Sequence, residues 1–134
     1  MAGDTRVPIE TETDVVSARQ AGRALAETLG FRSADVTRIA TAISEIARNI
    51  VEYAVKGALT ISAVTESGRS GIQIVAEDEG PGIPDIGLAM QDGYTTRHAS
   101  LGLGLPGARR LMDEFEISSE VGKGTKVVMR KWKS

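Results

Sequence analysis

The chain has 134 residues, a formal net charge of −2 and no cysteine. This length fits a single domain over residues 1–134, because a second independent core would leave each half near the lower size limit of folded domains. The charge balance provides no basic excess for sequence-independent binding to nucleic acid or to an anionic membrane. The absence of cysteine excludes disulfides, thiolate zinc sites and a cysteine nucleophile. No apolar run approaches the ~20 residues of a membrane span and the first residues lack the apolar stretch of a secretory signal, so we expect a cytoplasmic protein.

Hydrophobic periodicity predicts alternating helical and extended segments along the chain. Residues 1–14 show the weak alternation of an edge strand. Two stretches with apolar residues at three- and four-residue steps then predict helices, the second with Ser33 as N-cap and Gly57 as its stop. The predicted elements after residue 14 are helices over Val15–Leu29 and Ser33–Ala54, strands around Leu59–Ala63 and Ile72–Glu77, an irregular stretch over residues 78–104, a helix over Leu105–Phe115, and strands over Glu116–Glu120 and Thr125–Trp132.

This order of elements places about three helices against a mixed, mostly antiparallel sheet. Because the helices would cover one face of the sheet, the sequence predicts an α+β fold, a two-layer sandwich. Most of the 15 glycines lie between Gly57 and Gly124, and many fall in the irregular stretch. Loops of this length inside a compact domain are usually functional or disordered, which directs the search for a ligand to this half of the chain.

Glu45 and Asn49 lie four residues apart on the long predicted helix, away from its stripe of isoleucines. At this spacing the two side chains share one helix face, with Cβ atoms about 5–6 Å apart. An amide oxygen is a hard ligand suited to Mg²⁺, and a neighbouring carboxylate can accept a proton from a nucleophile that attacks a bound phosphate. Taken alone, the pair is more readily explained as part of a solvated helix face.

A second motif runs from Asp78 to Ile83, at the end of a predicted strand. Asp78 can accept a hydrogen bond from the exocyclic amine of a base, while Gly80 and Gly82 allow the chain to turn sharply and approach a flat ring. An ordinary glycine–proline turn explains the same residues equally well.

A third motif consists of Gly102, Leu103, Gly104 and Leu105, at the start of the third predicted helix. The free backbone N–H groups of a helix start make an anion site suited to phosphates. With Gly107 the stretch also matches the pattern G-x-G-x-x-G. Because no hydrophobic strand precedes it, we reject a dinucleotide-binding fold. The P-loop signature is also absent from the sequence.

The turn Gly122–Thr125 joins the last two predicted strands. Alone it is best explained as a hairpin turn with a solvated lysine. The Thr125 hydroxyl could nevertheless reach the same pocket as Asp78 and support that carboxylate.

Together and in this order, the four motifs resemble the GHKL or Bergerat-fold ATP-binding superfamily shared by gyrase, Hsp90, histidine kinases and MutL. The resemblance covers roughly residues 33–132. The chain has no room for a phospho-accepting histidine bundle or a transducer domain, so the small bacterial anti-sigma-factor-type serine/threonine kinases fit best. Within this group, the stretches Ala76–Ile86 and Leu105–Phe115 are similar to those of the switch kinases of the stressosome.

The resemblance implies roles for individual residues. Asn49 would hold Mg²⁺ at the phosphates, Glu45 would be the general base for a serine hydroxyl, and Asp78 would bind the adenine amine. Residues 85–100 would form a lid over the nucleotide. The remaining nucleotide-binding residues implied are Gly80, Gly82, Ile83, Gly102, Leu103, Gly104, Leu105 and Thr125.

The function implied by the resemblance is an ATP- and Mg²⁺-dependent protein serine/threonine kinase. Its substrate would be a STAS-domain antagonist protein, with a PP2C-type phosphatase as a second partner, in partner switching that regulates stress responses. The alternative is a nucleotide-gated binding module, either an anti-sigma factor or a phosphatase activator, with little turnover. A plain ATPase is disfavoured because nothing in the chain could use hydrolysis mechanically. A homodimer is compatible with the sequence, with the N-terminal segment and first helix as its surfaces.

Overall fold

The computed structural model describes residues 4–54, 56–80 and 104–133. Within these ranges the chain forms three helices and five strands, which confirms the predicted α+β class. The elements in chain order are β1 (Thr5–Ile9), α1 (Glu12–Leu29), α2 (Ser33–Tyr53), β2 (Gly57–Glu66), β3 (Arg69–Asp78), α3 (Gly104–Leu111), β4 (Glu114–Glu120) and β5 (Gly124–Trp132).

The five described strands form one sheet in the order β1-β2-β3-β5-β4, and every neighbouring pair is antiparallel. Successive side chains of a strand point to opposite faces. The register places Leu59 opposite Ala76 and Ile61 opposite Ile74, and these residues are buried beneath the helices. The two-layer sandwich is therefore as predicted, with the helices on one face.

The core is built mainly from aliphatic side chains of α2 and the central strands. Ile39, Ile43 and Ile46 on α2 are almost completely buried, and each contributes about 1.5–3 kcal/mol relative to exposure. A Cβ at Gly22 of α1 would overlap Cδ1 of Ile43, so α1 lies close against α2 at this point. No helix of the described ranges is long and apolar enough to cross a membrane.

The boundaries of α1 and α2 differ slightly from the predicted ones. Helix α1 begins at Glu12 because the Asp14 carboxylate accepts hydrogen bonds from the Glu10 and Thr11 amides at 2.8 and 3.0 Å. Helix α2 has Arg32 at its N-cap position and Ser33 as its first helical residue. Gly57 does not stop α2 but opens β2, where its Cβ would lie 2.5 Å from the Glu77 carbonyl oxygen.

The third helix is shorter than predicted, and Phe115 lies in β4 rather than in α3. The Asp113 amide donates to the Arg130 carbonyl at 3.0 Å, and the Asp113 carboxylate accepts the Trp132 amide at 2.8 Å. These two bonds attach the chain to β5 directly after α3. Phe115 then pairs with Met129 and faces the core by strand alternation, so its spacing from Leu111 and Met112 was no evidence of a longer helix.

A polar cluster covers part of the sheet face opposite the helices. Trp132 Nε1 donates to Glu114 Oε2 at 2.7 Å, and Arg130 Nη1 donates to Glu114 Oε1 at 2.9 Å. The guanidinium of Arg69 lies 4.2 Å from the Trp132 ring centroid, a cation–π arrangement. The Trp132 hydrogen bond, and after it the Arg130 hydrogen bond and charge, lower the pKa of Glu114 below its ordinary value.

The lowered pKa of Glu114 predicts a pH-dependent contribution to stability. Because the folded state binds the proton less tightly than the unfolded chain, the contribution is present at neutral pH and is lost as the pH falls through the lowered pKa. Glu114→Gln should therefore lower the unfolding midpoint at neutral pH, with a difference from the parent that shrinks towards acid. Thermal unfolding measured from neutral pH down through the lowered pKa of Glu114 tests this prediction, with Glu116→Gln as the control variant. A difference that is constant with pH would contradict it.

Candidate functional site

Asp78 lies at the end of β3, between Gly57 of β2 and Thr125 of β5 in the strand register. Its Oδ1 accepts the Gly80 amide at 2.9 Å and the Thr125 amide at 3.3 Å. Among the described residues no donor reaches Oδ2. The two amides therefore fix the carboxylate by one oxygen and leave the other available to accept a hydrogen bond from a ligand.

Glycines make the close approach around Asp78 sterically feasible. A Cβ at Gly80 would lie 2.7 Å from Ala54 Cβ, so β3 leaves the sheet in contact with the end of α2. Gly124 has φ +118°, and a Cβ there would overlap the Asp78 carbonyl oxygen. A side chain at either position would displace the backbone that holds Asp78.

Gly124 provides a stability prediction with a matched control in the same turn. Gly124→Ala should destabilise the fold by about 3 kcal/mol or more, because backbone strain and a backbone clash act together. Gly122 also has a positive φ, +84°, but a Cβ there would meet nothing within 4 Å. Gly122→Ala should cost only about 1–2 kcal/mol. Urea unfolding of both variants tests this, and equal losses would contradict the proposed clash.

Thr125 is buried and contacts Asp78 through its backbone rather than through its hydroxyl. The Thr125 Oγ1 lies 3.0 Å from Ser119 Oγ, and Ser119 Oγ in turn donates to the Gly124 carbonyl at 3.1 Å. The expectation that the hydroxyl supports Asp78 is therefore replaced by support from the Thr125 amide. Beside these residues lies an open groove of about 420 Å³ at the edge of the sheet. By strand alternation, part of its lining (Glu77, Ser118 and Lys126) faces away from the helices. The whole lining consists of Glu77, Asp78, Ser118, Ser119, Glu120, Lys123, Gly124, Thr125 and Lys126.

Glu45 lies on α2 where α3 packs against it, and its side chain is only 8% exposed. Oε1 accepts the Gly104 amide at 2.9 Å. Oε2 accepts a hydrogen bond from Arg48 Nη1 at 3.4 Å. The Glu45 carboxylate thus accepts a hydrogen bond from the Gly104 N–H at the start of α3. The sequence predicted that this same N–H binds a phosphate oxygen.

Asn49 lies one turn after Glu45 on α2 and is half-buried. Within the described residues its amide has no hydrogen-bond partner. The same residues contain no cluster of three or more His, Cys, Asp and Glu side chains that could hold a metal. Mg²⁺ often takes one or two protein oxygens and completes its shell with water and phosphate oxygens, so a single Asn49 ligand fits this ion.

The C-terminal half of α2 connects the two groups of predicted site residues. Glu45 contacts Gly104, the first residue of α3, and Ala54 contacts the Gly80 turn, with Asn49 between them on the helix. From Glu45 to Ala54 the helix axis advances about 14 Å. The structure thus brings Asp78, Gly80 and Thr125 together, and separately Glu45 and Gly104, along one helix.

Other predicted site residues are either buried in the core or lie outside the described residues. The Leu105 side chain is buried in the core, so only its backbone N–H could meet a phosphate. Gly82, Ile83, Gly102, Leu103 and the predicted lid over residues 85–100 lie outside the described residues. Arg48 and Glu12, which contact each other near Glu45, were not identified from the sequence, although the i,i+3 spacing of Glu45 and Arg48 was visible.

The sequence matches the family of the histidine kinase-like ATPase domain over residues 8–131. It is 54% identical over 126 residues to the serine/threonine-protein kinase RsbT of Bacillus subtilis (strain 168), covering 94% of each chain. It is 37% identical over 103 residues to the anti-sigma F factor of Thermoanaerobacter sp. (strain X514), covering 73% of this chain and 71% of the other. The chain is thus related over nearly its whole length to a serine/threonine-protein kinase.

Two solved structures share the fold at low identity. Full-length ShkA in complex with AMPPNP has a TM-score of 0.60 and 21% identity, covering 97% of this chain and 32% of that chain. The histidine kinase domain of the Erythrobacter litoralis EL346 blue-light activated histidine kinase has a TM-score of 0.51 and 19% identity, covering 90% of this chain and 59% of that chain. The chain therefore spans only part of each of these two proteins.

Proposed function

We propose that this chain, which belongs to the histidine kinase-like ATPase domain family, is an ATP- and Mg²⁺-dependent protein serine/threonine kinase. One observation carries the proposal: the Asp78 carboxylate is fixed through Oδ1 by two backbone amides and presents Oδ2 without a donor among the described residues. A half-buried acceptor held in this way suits the exocyclic amine of adenine. The relationship to a serine/threonine-protein kinase over 94% of the chain supports the reaction class.

The adenine end of the site is assigned to the ends of β3 and β5. Asp78 accepts a hydrogen bond from the adenine amine, and the backbone amides of Gly80 and Thr125 keep the carboxylate in place. The neighbouring Gly82 and Ile83 are proposed to line the ring. By strand alternation Asp78 and Thr125 face the same side of the sheet as the helices, which supports this location.

The phosphate end is assigned to α2 and the start of α3. Asn49 holds Mg²⁺, which when bound neutralises negative charge on the phosphates. The backbone N–H groups of Gly102, Leu103, Gly104 and Leu105 bind phosphate oxygens. The Gly104 N–H is already bonded to Glu45, so a phosphate oxygen at this N–H must displace Oε1.

Glu45, once released from Gly104, is the proposed general base. The acceptor hydroxyl gives its proton to Glu45 while its oxygen bonds to the γ-phosphorus. The bond from the γ-phosphorus to the bridging oxygen breaks, and ADP leaves with that oxygen. The burial of Glu45 between α2 and α3 supports this role because it excludes most of the competing water.

The proposed acceptor is a serine or threonine of a STAS-domain antagonist protein, and a PP2C-type phosphatase is the proposed second partner. The chain would act as a cytoplasmic partner-switching regulator of the stressosome type, as one domain over residues 1–134 with a lid at residues 85–100. A homodimer is proposed to form through the N-terminal segment and α1. The names of the two relatives, a serine/threonine-protein kinase and an anti-sigma factor, support regulation through bound proteins.

A second candidate is a nucleotide-gated binding module with little turnover. It is favoured by the 37% identity to an anti-sigma F factor. The two functions differ in one measurable property: a kinase leaves a phosphorylated partner, whereas a binding module leaves only a complex.

The function is tested by incubating the protein with γ-labelled ATP, Mg²⁺ and candidate STAS-domain proteins from the same genome. We expect label on one partner, at a serine or threonine found by mass spectrometry, and no transfer when Mg²⁺ is chelated. Nucleotide-dependent binding without label would favour the second candidate. Absence of both would contradict the proposal.

A further inference from the structure

Arg48 lies three residues after Glu45 on α2, and its guanidinium contacts two carboxylates. Nη1 lies 3.4 Å from Glu45 Oε2, and Nε lies 3.9 Å from Glu12 Oε1 in the first turn of α1. The Arg48 side chain is 27% exposed, whereas that of Glu12 is 64% exposed. Arg48 therefore connects an exposed acid on α1 with a buried acid on α2.

The Glu45 carboxylate is held on both of its oxygens. The Gly104 amide binds Oε1, and Arg48 binds Oε2. A glutamate side chain has several rotatable bonds, and a single contact would leave its carboxylate free to rotate. When a phosphate oxygen takes the Gly104 amide, Arg48 is the one contact of Glu45 among the described side chains that remains.

We propose that Arg48 is a positioning residue of phosphoryl transfer, which holds Oε2 of Glu45 so that Oε1 faces the start of α3 and can accept the proton of the substrate hydroxyl. The inference rests on the proposed kinase function and adds to it a residue that acts through Glu45 alone. Glu12 lies near the Nε atom of the same guanidinium, at 3.9 Å. Misplacement of a catalytic group by about 1 Å can cost up to ~100-fold in rate, which sets the expected size of the effect.

Kinetics of Arg48 variants separate positioning from phosphate binding. Arg48→Ala should lower kcat for partner phosphorylation about 10- to 100-fold, with the Kd for ATP unchanged within about twofold. Arg48→Lys should recover part of the rate, because lysine keeps the charge but lacks the planar geometry of the guanidinium. An ATP Kd that rises in step with the loss of kcat would make Arg48 a phosphate ligand and overturn the inference.

Arg38→Ala is the matched control. Arg38 lies on the same helix and forms an i,i+3 pair with Asp35 at 2.8 Å, but its side chain is 51% exposed. We expect parental kcat and parental ATP affinity for this variant. A loss of rate equal to that of Arg48→Ala would attribute the effect to general weakening of α2, and would overturn the inference.

A second readout needs no catalysis. In ¹⁵N-labelled protein without nucleotide, Arg48→Ala should move the Gly104 amide resonance towards its position in Glu45→Ala, and Arg48→Lys should move it less. An unmoved resonance would overturn the positioning role. If the parent protein transfers phosphate and Arg48→Ala transfers it at the same rate, only this inference is contradicted. If the parent protein phosphorylates no acceptor, the proposed kinase function is contradicted as well.

Discussion

Glu45→Ala is expected to bind ATP and to transfer almost no phosphate. Removal of the proposed general base should lower the rate about 10²- to 10⁴-fold. The ATP Kd should stay the same or fall, because the Glu45 carboxylate no longer competes for the Gly104 amide. The measurement is γ-label transfer to the partner, together with calorimetric titration of ATP.

Glu45→Gln controls for the structural role of this side chain. A glutamine oxygen can still accept the Gly104 amide, so the start of α3 keeps its hydrogen bond, but a neutral amide cannot take a proton at neutral pH. We expect a folded protein with the same loss of transfer. Parental transfer rates in Glu45→Gln would contradict the assignment of the base.

Asp78→Asn is expected to lose ATP affinity without loss of the fold. The Gly80 and Thr125 amides would hold the amide oxygen in the place of Oδ1, so the new NH₂ group would replace Oδ2 and face the adenine amine. Because the asparagine NH₂ group and the adenine amine are both donors, they cannot form a hydrogen bond with each other. The Kd for ATP should therefore rise about 10- to 100-fold. Calorimetry with ATP and with a purine nucleotide that lacks the 6-amine measures this, and the variant should no longer prefer ATP.

Asp113→Asn is the matched control for Asp78→Asn. Asp113 also accepts a backbone amide of β5, that of Trp132 at 2.8 Å, but at the opposite end of this strand. Its substitution should leave ATP affinity unchanged. Parental ATP affinity in Asp78→Asn would contradict the adenine assignment. Lost ATP binding with intact partner binding would mean that nucleotide does not gate association.

Local sequence patterns predicted the parts of the molecule that depend on nearby residues. The isoleucine spacing of α2 identified its buried face, and the alternation before Asp78 placed this residue at a strand end. Both follow from helix and strand periods. The third helix was predicted too long because Leu111, Met112 and Phe115 fit a helical period, while Phe115 and Ile117 also fit a strand period. Hydrogen bonds between Asp113 and two distant β5 residues, Arg130 and Trp132, end the helix before Phe115.

Contacts between segments far apart in the chain could not be predicted from the sequence. The Glu45–Gly104 hydrogen bond joins residues 59 positions apart, and no local pattern specifies it. The need for glycine at position 57 or 124 likewise arises from the carbonyls of β3 that pass close to them. The sequence proposed candidate residues for the site, whereas the packing of α3 on α2 and the pairing of β3 with β5 determine which of these residues meet.

The most direct measurement is a crystal structure of the protein with Mg²⁺ and a non-hydrolysable ATP analogue. We expect the adenine amine within hydrogen-bond distance of Asp78 Oδ2, the metal on the Asn49 side-chain oxygen, and Glu45 displaced from the Gly104 amide. A nucleotide bound elsewhere, or one that leaves Asp78 and Asn49 without contact, would contradict this expectation.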